Sequence, residues 1–153
     1  MRVKHSVLLK VPILGTKVTA AVKADSLAWI EECVEEKRKI MVVTPNPEQI
    51  MLAQKDGSFR EILNHASLAL CDGEGLLWAG RFLEVMPTIP ERVTGEVVMQ
   101  ELLDLALRKG WRVMLVGGRP GIAQKAAEEL RLKIHDLRIL GTEGIHNIRV
   151  YSR

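Results

Sequence analysis

The side chain best suited to acid–base chemistry is Asp72, in the stretch LALCDGEG from Leu68 to Gly75. A run of small apolar residues stops at a carboxylate, and Gly73 removes all side-chain bulk beside it. A carboxylate at the end of a buried strand can take the proton of an incoming hydroxyl. It can equally share a metal ion with Glu74, or cap the helix that begins near Gly75. Residue type alone leaves the three roles open.

Three further stretches carry groups of the same kind. TPNP offers the Thr44 hydroxyl and Asn46, either as an amide for a ligand or as a helix cap. In GGRPG, Gly117 and Gly118 let the backbone turn tightly and approach a ligand closely, with Arg119 and Gly121 before a helix start. Free N–H groups and the positive dipole end at such a helix start suit a diphosphate. The stretch lacks both the G-x-G-x-x-G order and the G-K-[ST] of the familiar phosphate loops. A tight turn with Arg119 in solvent fits the same residues. In PERVTGEVVMQELL, Arg92 precedes a helix capped by Thr94, and arginine is shaped for bidentate phosphate contacts. A surface arginine beside an ordinary cap fits equally.

These residues need elements to hold them. Val11–Leu14 and Lys17–Val22 read as strands around Gly15, an N-terminal β-hairpin. Leu27, Ile30 and Val34 recur at helical spacing, with Asp25 or Ser26 as cap. Lys39–Val43 reads as a buried strand, then come helices over Pro47–Lys55 and Ser58–Asn64. Leu68–Cys71 is the next strand, Gly75–Phe82 a helix and Val85–Pro90 a loop. Val97–Arg108 is amphipathic, with Val98, Leu102, Leu105 and Ala106 on one face. Strand Arg112–Val116, helix Ile122–Leu132 and a strand from Arg138 to Leu140 close the pattern. Short apolar strands alternating with helices predict an α/β fold of Rossmann-like type: one domain over residues 1–153, its mostly parallel sheet covered on both faces. Ligands in such sheets sit outside the carboxyl ends of the strands, which would open the loops after Val43, Cys71 and Val116 onto one edge.

Composition narrows the rest. The chain has 153 residues, is 47% apolar, and carries a formal net charge of +3. The cations are scattered and aromatics are only 4%, which argues against nucleic acid. Mild basicity suits an anionic small molecule or membrane surface. Cys33 and Cys71 lack metal-type spacing and read as buried thiols of a reducing compartment. His5, His65, His135 and His146 show no ligand spacing either. No stretch has signal-peptide form or spanning length, so the expected location is the cytoplasm, with membrane contact peripheral.

Taken together, VVTPNPEQIMLAQKD, LALCDGEGLLWAGR, PERVTGEVVMQELL and WRVMLVGGRPGIAQKAAEEL resemble, in order and spacing, the WecG/TagA/CpsF family of bacterial glycosyltransferases over residues 11 to 142. The resemblance implies transfer of N-acetylmannosamine, or its uronic acid, from a UDP-sugar to a sugar on an undecaprenyl diphosphate lipid. The products would feed wall teichoic acid, enterobacterial common antigen or capsule-type exopolysaccharide at the inner face of the membrane. It implies inversion at the anomeric carbon with Asp72 as general base, Thr44 and Asn46 beside the active site, and Arg92 and Thr94 lining the sugar or diphosphate pocket. Gly117 and Gly118, with Arg119 and Gly121, would hold the nucleotide, and no metal or cofactor is implied.

The family pattern continues with further β–α units and a basic or amphipathic tail, where this sequence has TEGIHNIRVYSR after Gly141. That difference predicts a shortened site, weak lipid contact and self-association through uncovered surface. Two rivals remain at this level: a UDP-sugar-binding module without chemistry, and a metal-dependent transferase using Asp72 and Glu74.

Overall fold

A computed structural model describes residues 8–144. The fold is mixed α/β, with six helices and six strands among the described residues. The chain divides into two compact units, Met1–Gln100 and Glu101–Arg153.

The first unit opens with β1 (Lys10–Ile13) and β2 (Thr16–Thr19), an antiparallel hairpin pairing Ile13 with Thr16. Leu14 and Gly15 both take positive φ, at 47° and 76°, as a two-residue hairpin turn requires. The second strand stops three residues earlier than Val22. Alternation places Val11, Ile13 and Val18 in a core with Ile50, Cys71, Leu76 and Ile89.

Helix α1 (Lys23–Glu35) starts before the expected caps: its N-cap is Val22, and Asp25 and Ser26 lie inside it. The missing cap comes from far along the chain, because Glu91 Oε1 accepts from the Lys23 backbone N–H. Ser26 instead donates to Val22 O at 2.9 Å. Its buried stripe is Ser26, Ile30 and Cys33, leaving Val34 exposed.

Strand β3 is only Val42–Val43, not the buried Lys39–Val43, and Met41 is 40% exposed. It pairs in parallel with β4 (Leu68–Ala69), which is buried. Single hydrogen bonds carry the pairing onward, from Leu70 N–H to Val43 O at 2.8 Å and from Asp72 N–H to Pro45 O at 3.0 Å. The Ala69 N–H donates to Thr19 Oγ1 at 2.9 Å, tying β4 to the hairpin. Helices α2 (Pro47–Lys55), α3 (Gly57–His65) and α4 (Glu74–Phe82) complete the unit. Helix α5 (Gly95–Lys109) begins in it.

In the second unit, β5 (Arg112–Val116) pairs in parallel with β6 (Arg138–Thr142), linked by α6 (Ile122–Lys133). Leu103, Ala106, Ala127, Leu137 and Ile139 form its core; Leu103 takes the buried place expected for Leu102. A Cβ on Gly141 would lie 2.1 Å from Ala123 O, so glycine is what lets β6 touch the backbone of α6.

The expected sheet is realised only in part. Among the described residues the strands form three two-stranded ladders, two parallel and one antiparallel. Cover on both faces also fails for β5: Met114 and Val116 are 61% and 64% exposed, and Leu140 opposite Met114 is 59% exposed. The strands have period two, so Val113, Leu115 and Ile139 face the packed side while their neighbours face outward.

Candidate active site

Three of the motifs meet at the end of β4. The CDGEG segment lies beside ERVTG: Val93 N–H donates to Cys71 O at 2.8 Å, and Gly95 N–H donates to Asp72 Oδ2 at 3.1 Å. Arg92 reaches Glu74 at 3.7 Å, with both side chains largely exposed. The TPNP segment closes the other side through the Asp72–Pro45 backbone bond. Thr44 packs against Gly95, where a Cβ would stand 3.0 Å from Thr44 Oγ1.

Glycines beside Asp72 have a steric cause. A Cβ on Gly73 would fall 2.8 Å from Pro47 Cδ, and one on Gly75 would fall 2.9 Å from Pro47 Cγ. The space next to the carboxylate is therefore filled by the proline ring that starts α2. Asp72 does not cap α4, whose N-cap is Gly73 with no side-chain bond. It binds the first amide of α5 instead, where the helix dipole favours a negative charge. One carboxylate oxygen is engaged there, and Asp72 is only half-buried.

Asn46 is committed to a capping box. Its Oδ1 accepts from Gln49 N–H at 2.9 Å, and Gln49 Oε1 accepts from Asn46 N–H at 3.4 Å. Thr94 behaves as an ordinary cap of α5, accepting from Val97 N–H at 3.3 Å. Cys71 next to Asp72 is a free thiol, pushed up to about 11 first by burial and then by the charges of Asp72 and Glu74, so it is protonated at neutral pH. Gly95, by contrast, has no side chain to suggest a part in the site. Its only sequence signal is a glycine where α5 starts, a position that most residues would serve with less entropy cost.

The second unit holds the glycine turn. Gly117, Gly118 and Gly121 take φ of 105°, 78° and 79°, a region that side chains rarely enter. A Cβ would meet nothing within 4 Å at Gly117 or Gly121, whereas at Gly118 it would press on Ile122 at 3.3 Å. The Gly117 N–H donates to Thr142 O at 3.1 Å, and Ile122 N–H donates to Arg119 O at 3.0 Å. Arg119 is exposed. Among the described residues no group of three or more His, Cys, Asp or Glu is arranged to hold a metal ion. No helix among them is long and apolar enough to cross a membrane.

The fold by itself does not define an activity, and comparison with known proteins supplies the family. The chain belongs to the glycosyl transferase WecG/TagA/CpsF family, which matches residues 11–147. It is 25% identical over 108 residues to an N-acetylglucosaminyldiphosphoundecaprenol N-acetyl-beta-D-mannosaminyltransferase of Bacillus subtilis (strain 168), covering 71% of this chain and 41% of that protein. It is 28% identical over 92 residues to a protein of the same name from Staphylococcus aureus (strain NCTC 8325 / PS 47), covering 60% of this chain and 35% of that one. The chain thus spans less than half the length of these relatives.

Proposed function

We propose that the chain transfers N-acetylmannosamine, or its uronic acid, from a UDP-sugar to a lipid-linked acceptor, N-acetylglucosaminyl diphosphoundecaprenol, with inversion. The relatives' names supply the sugar and the acceptor. The observation that carries the reading is Asp72: a half-buried carboxylate at a strand end, held through one oxygen by Gly95, against which Thr44 packs.

In the proposed step the acceptor hydroxyl oxygen bonds to the anomeric carbon as the bond from that carbon to the UDP oxygen breaks. The hydroxyl proton passes to Asp72, and UDP leaves with the bonding pair. Thr44 orients the incoming hydroxyl. The Asn46 side-chain amide and the Thr94 hydroxyl are polar groups for the sugar, and Arg92 compensates phosphate charge. In the second unit, the Gly117–Gly118 turn, Arg119 and Gly121 serve the diphosphate, a role supported by the open space on the Cβ side of Gly121 at the start of α6. The polymer served would be of the teichoic acid or exopolysaccharide kind, made at the inner membrane face. The sheet would be of Rossmann-like type.

The test is UDP release from UDP-N-acetylmannosamine with a short-chain lipid-linked acceptor. Asp72→Asn is expected to slow turnover by about 10²–10⁴-fold. An unchanged rate in an active protein removes Asp72 from the chemistry. A second reading, a UDP-sugar-binding module, is favoured by the bond to Gly95, which gives Asp72 a structural task. UDP binding by calorimetry without any turnover would favour it.

A further inference from the structure

The outer face of α4 takes no part in the site. Its inner residues Leu76, Leu77 and Gly80 are buried, while Trp78 is 66% and Phe82 87% exposed. Leu83 at 43% and Met86 at 79% extend the apolar surface past the helix end. Trp78, Arg81 and Phe82 stand at i, i+3 and i+4, so they share one face. The Arg81 guanidinium lies 5.7 Å from the centre of the Trp78 ring.

We propose that this face seats on the surface of a phospholipid bilayer, with Trp78, Phe82 and Met86 at headgroup level and Arg81 turned to the lipid phosphates. The proposal rests on the reading above in one respect, that the acceptor is lipid-linked. Three arguments favour a bilayer. Trp and Phe beside an arginine whose guanidinium lies over the indole ring is the chemistry of the membrane interface, where Trp and Arg keep a polar end wet and Phe is buried. The patch amounts to four apolar side chains, well short of the roughly 20–30 residues a side of a stable protein interface. Its position also fits: α4 has nine residues, so its C-terminal end lies about 12 Å along the axis from Glu74, two residues after Asp72. That is the scale of a diphosphate bearing one sugar. Exposed Glu84 offsets Arg81, so ring insertion carries the binding and added salt weakens it little.

The test is co-sedimentation of the chain with vesicles of phosphatidylethanolamine and phosphatidylglycerol. The parent is expected to partition onto them, and Trp78→Ser with Phe82→Ser to lower the partition about tenfold or more. Leu132→Ser, which removes a 77% exposed leucine from α6, is expected to change nothing. Brominated lipid should quench the parent's tryptophan emission, and Trp78→Phe should abolish that quenching while keeping the partition. Turnover of a water-soluble acceptor analogue should be equal in parent and double variant. A chain that never turns over but still partitions through these rings would overturn the enzymatic reading and leave this one standing. Equal partition of parent and double variant, no partition of the parent, or an unquenched parent overturns the proposal. So does a concentration-dependent dimer that the double variant loses, since that would assign the face to a second copy.

Discussion

The Gly95 backbone amide donates to Asp72 Oδ2 at 3.1 Å, across 23 positions of sequence. This bond joins the end of a buried strand to the start of α5 and leaves the second carboxylate oxygen for other work. It is the point at which packing and proposed chemistry coincide, and it sets the first test.

Asp72→Asn retains an oxygen that can accept from Gly95, whereas Asp72→Ala does not. Denaturant unfolding is expected to show Asp72→Ala less stable by about 0.5–2 kcal/mol, the usual cost of losing a helix-start acceptor. Asp72→Asn should lie much closer to the parent while losing turnover. Equal stability of all three proteins would mean that the bond contributes nothing to holding the strand end.

Gly95→Ala places a methyl 3.0 Å from Thr44 Oγ1. Overpacking of this kind typically costs about 1–3 kcal/mol. Thr44→Ala removes the opposing hydroxyl, so the double variant should recover much of the loss. A double-mutant cycle on unfolding free energies measures the coupling, and strict additivity would contradict the contact.

Three further glycines rank by what their Cβ would meet. Gly57→Ala meets nothing within 4 Å at the start of α3, and is expected to stabilise by about 0.4–1 kcal/mol through the unfolded chain. Gly73→Ala presses on the rigid Pro47 ring at 2.8 Å and should cost about 1–3 kcal/mol. Gly141→Ala meets the Ala123 carbonyl at 2.1 Å, in backbone that cannot rotate away, and should be the worst of the three. Thermal melts of the three variants give the order directly.

Asn46→Ala removes the side-chain acceptor of the capping box, leaving only the Asn46 backbone N–H bond to Gln49, and should cost about 1 kcal/mol. Asn46→Asp keeps the acceptor and should hold stability near the parent's. If the amide also serves the sugar, Asn46→Asp raises KM without this loss of stability, which steady-state kinetics beside unfolding curves would resolve.

Burial raises the Cys71 thiol from 9.0 to about 11. The folded state therefore keeps a proton that the unfolded state releases between these values. The resulting stability is complete below pH 9 and is lost as pH rises from 9 towards 11. Urea midpoints across that window should fall more steeply for the parent than for Cys71→Ser. Cys33 is shifted the same way, also mainly by burial, so the difference between parent and variant is the quantity to read.

What the sequence by itself determined is the local part of this protein. The helix over Pro47–Lys55, the strand over Arg112–Val116 and the Thr94 cap all follow from neighbouring residues, because propensity, capping and turn geometry act within a few positions. The four motifs in order were enough to reach the family. Tertiary structure alone decided the rest. It gave Asp72 a partner in Gly95, filled the space at Gly73 with Pro47, capped α1 from Glu91 and left one face of β5 bare. Each of these depends on which distant segments come within contact distance. Period and residue type state that a side chain is apolar or a position is small, but they do not state what will stand against it.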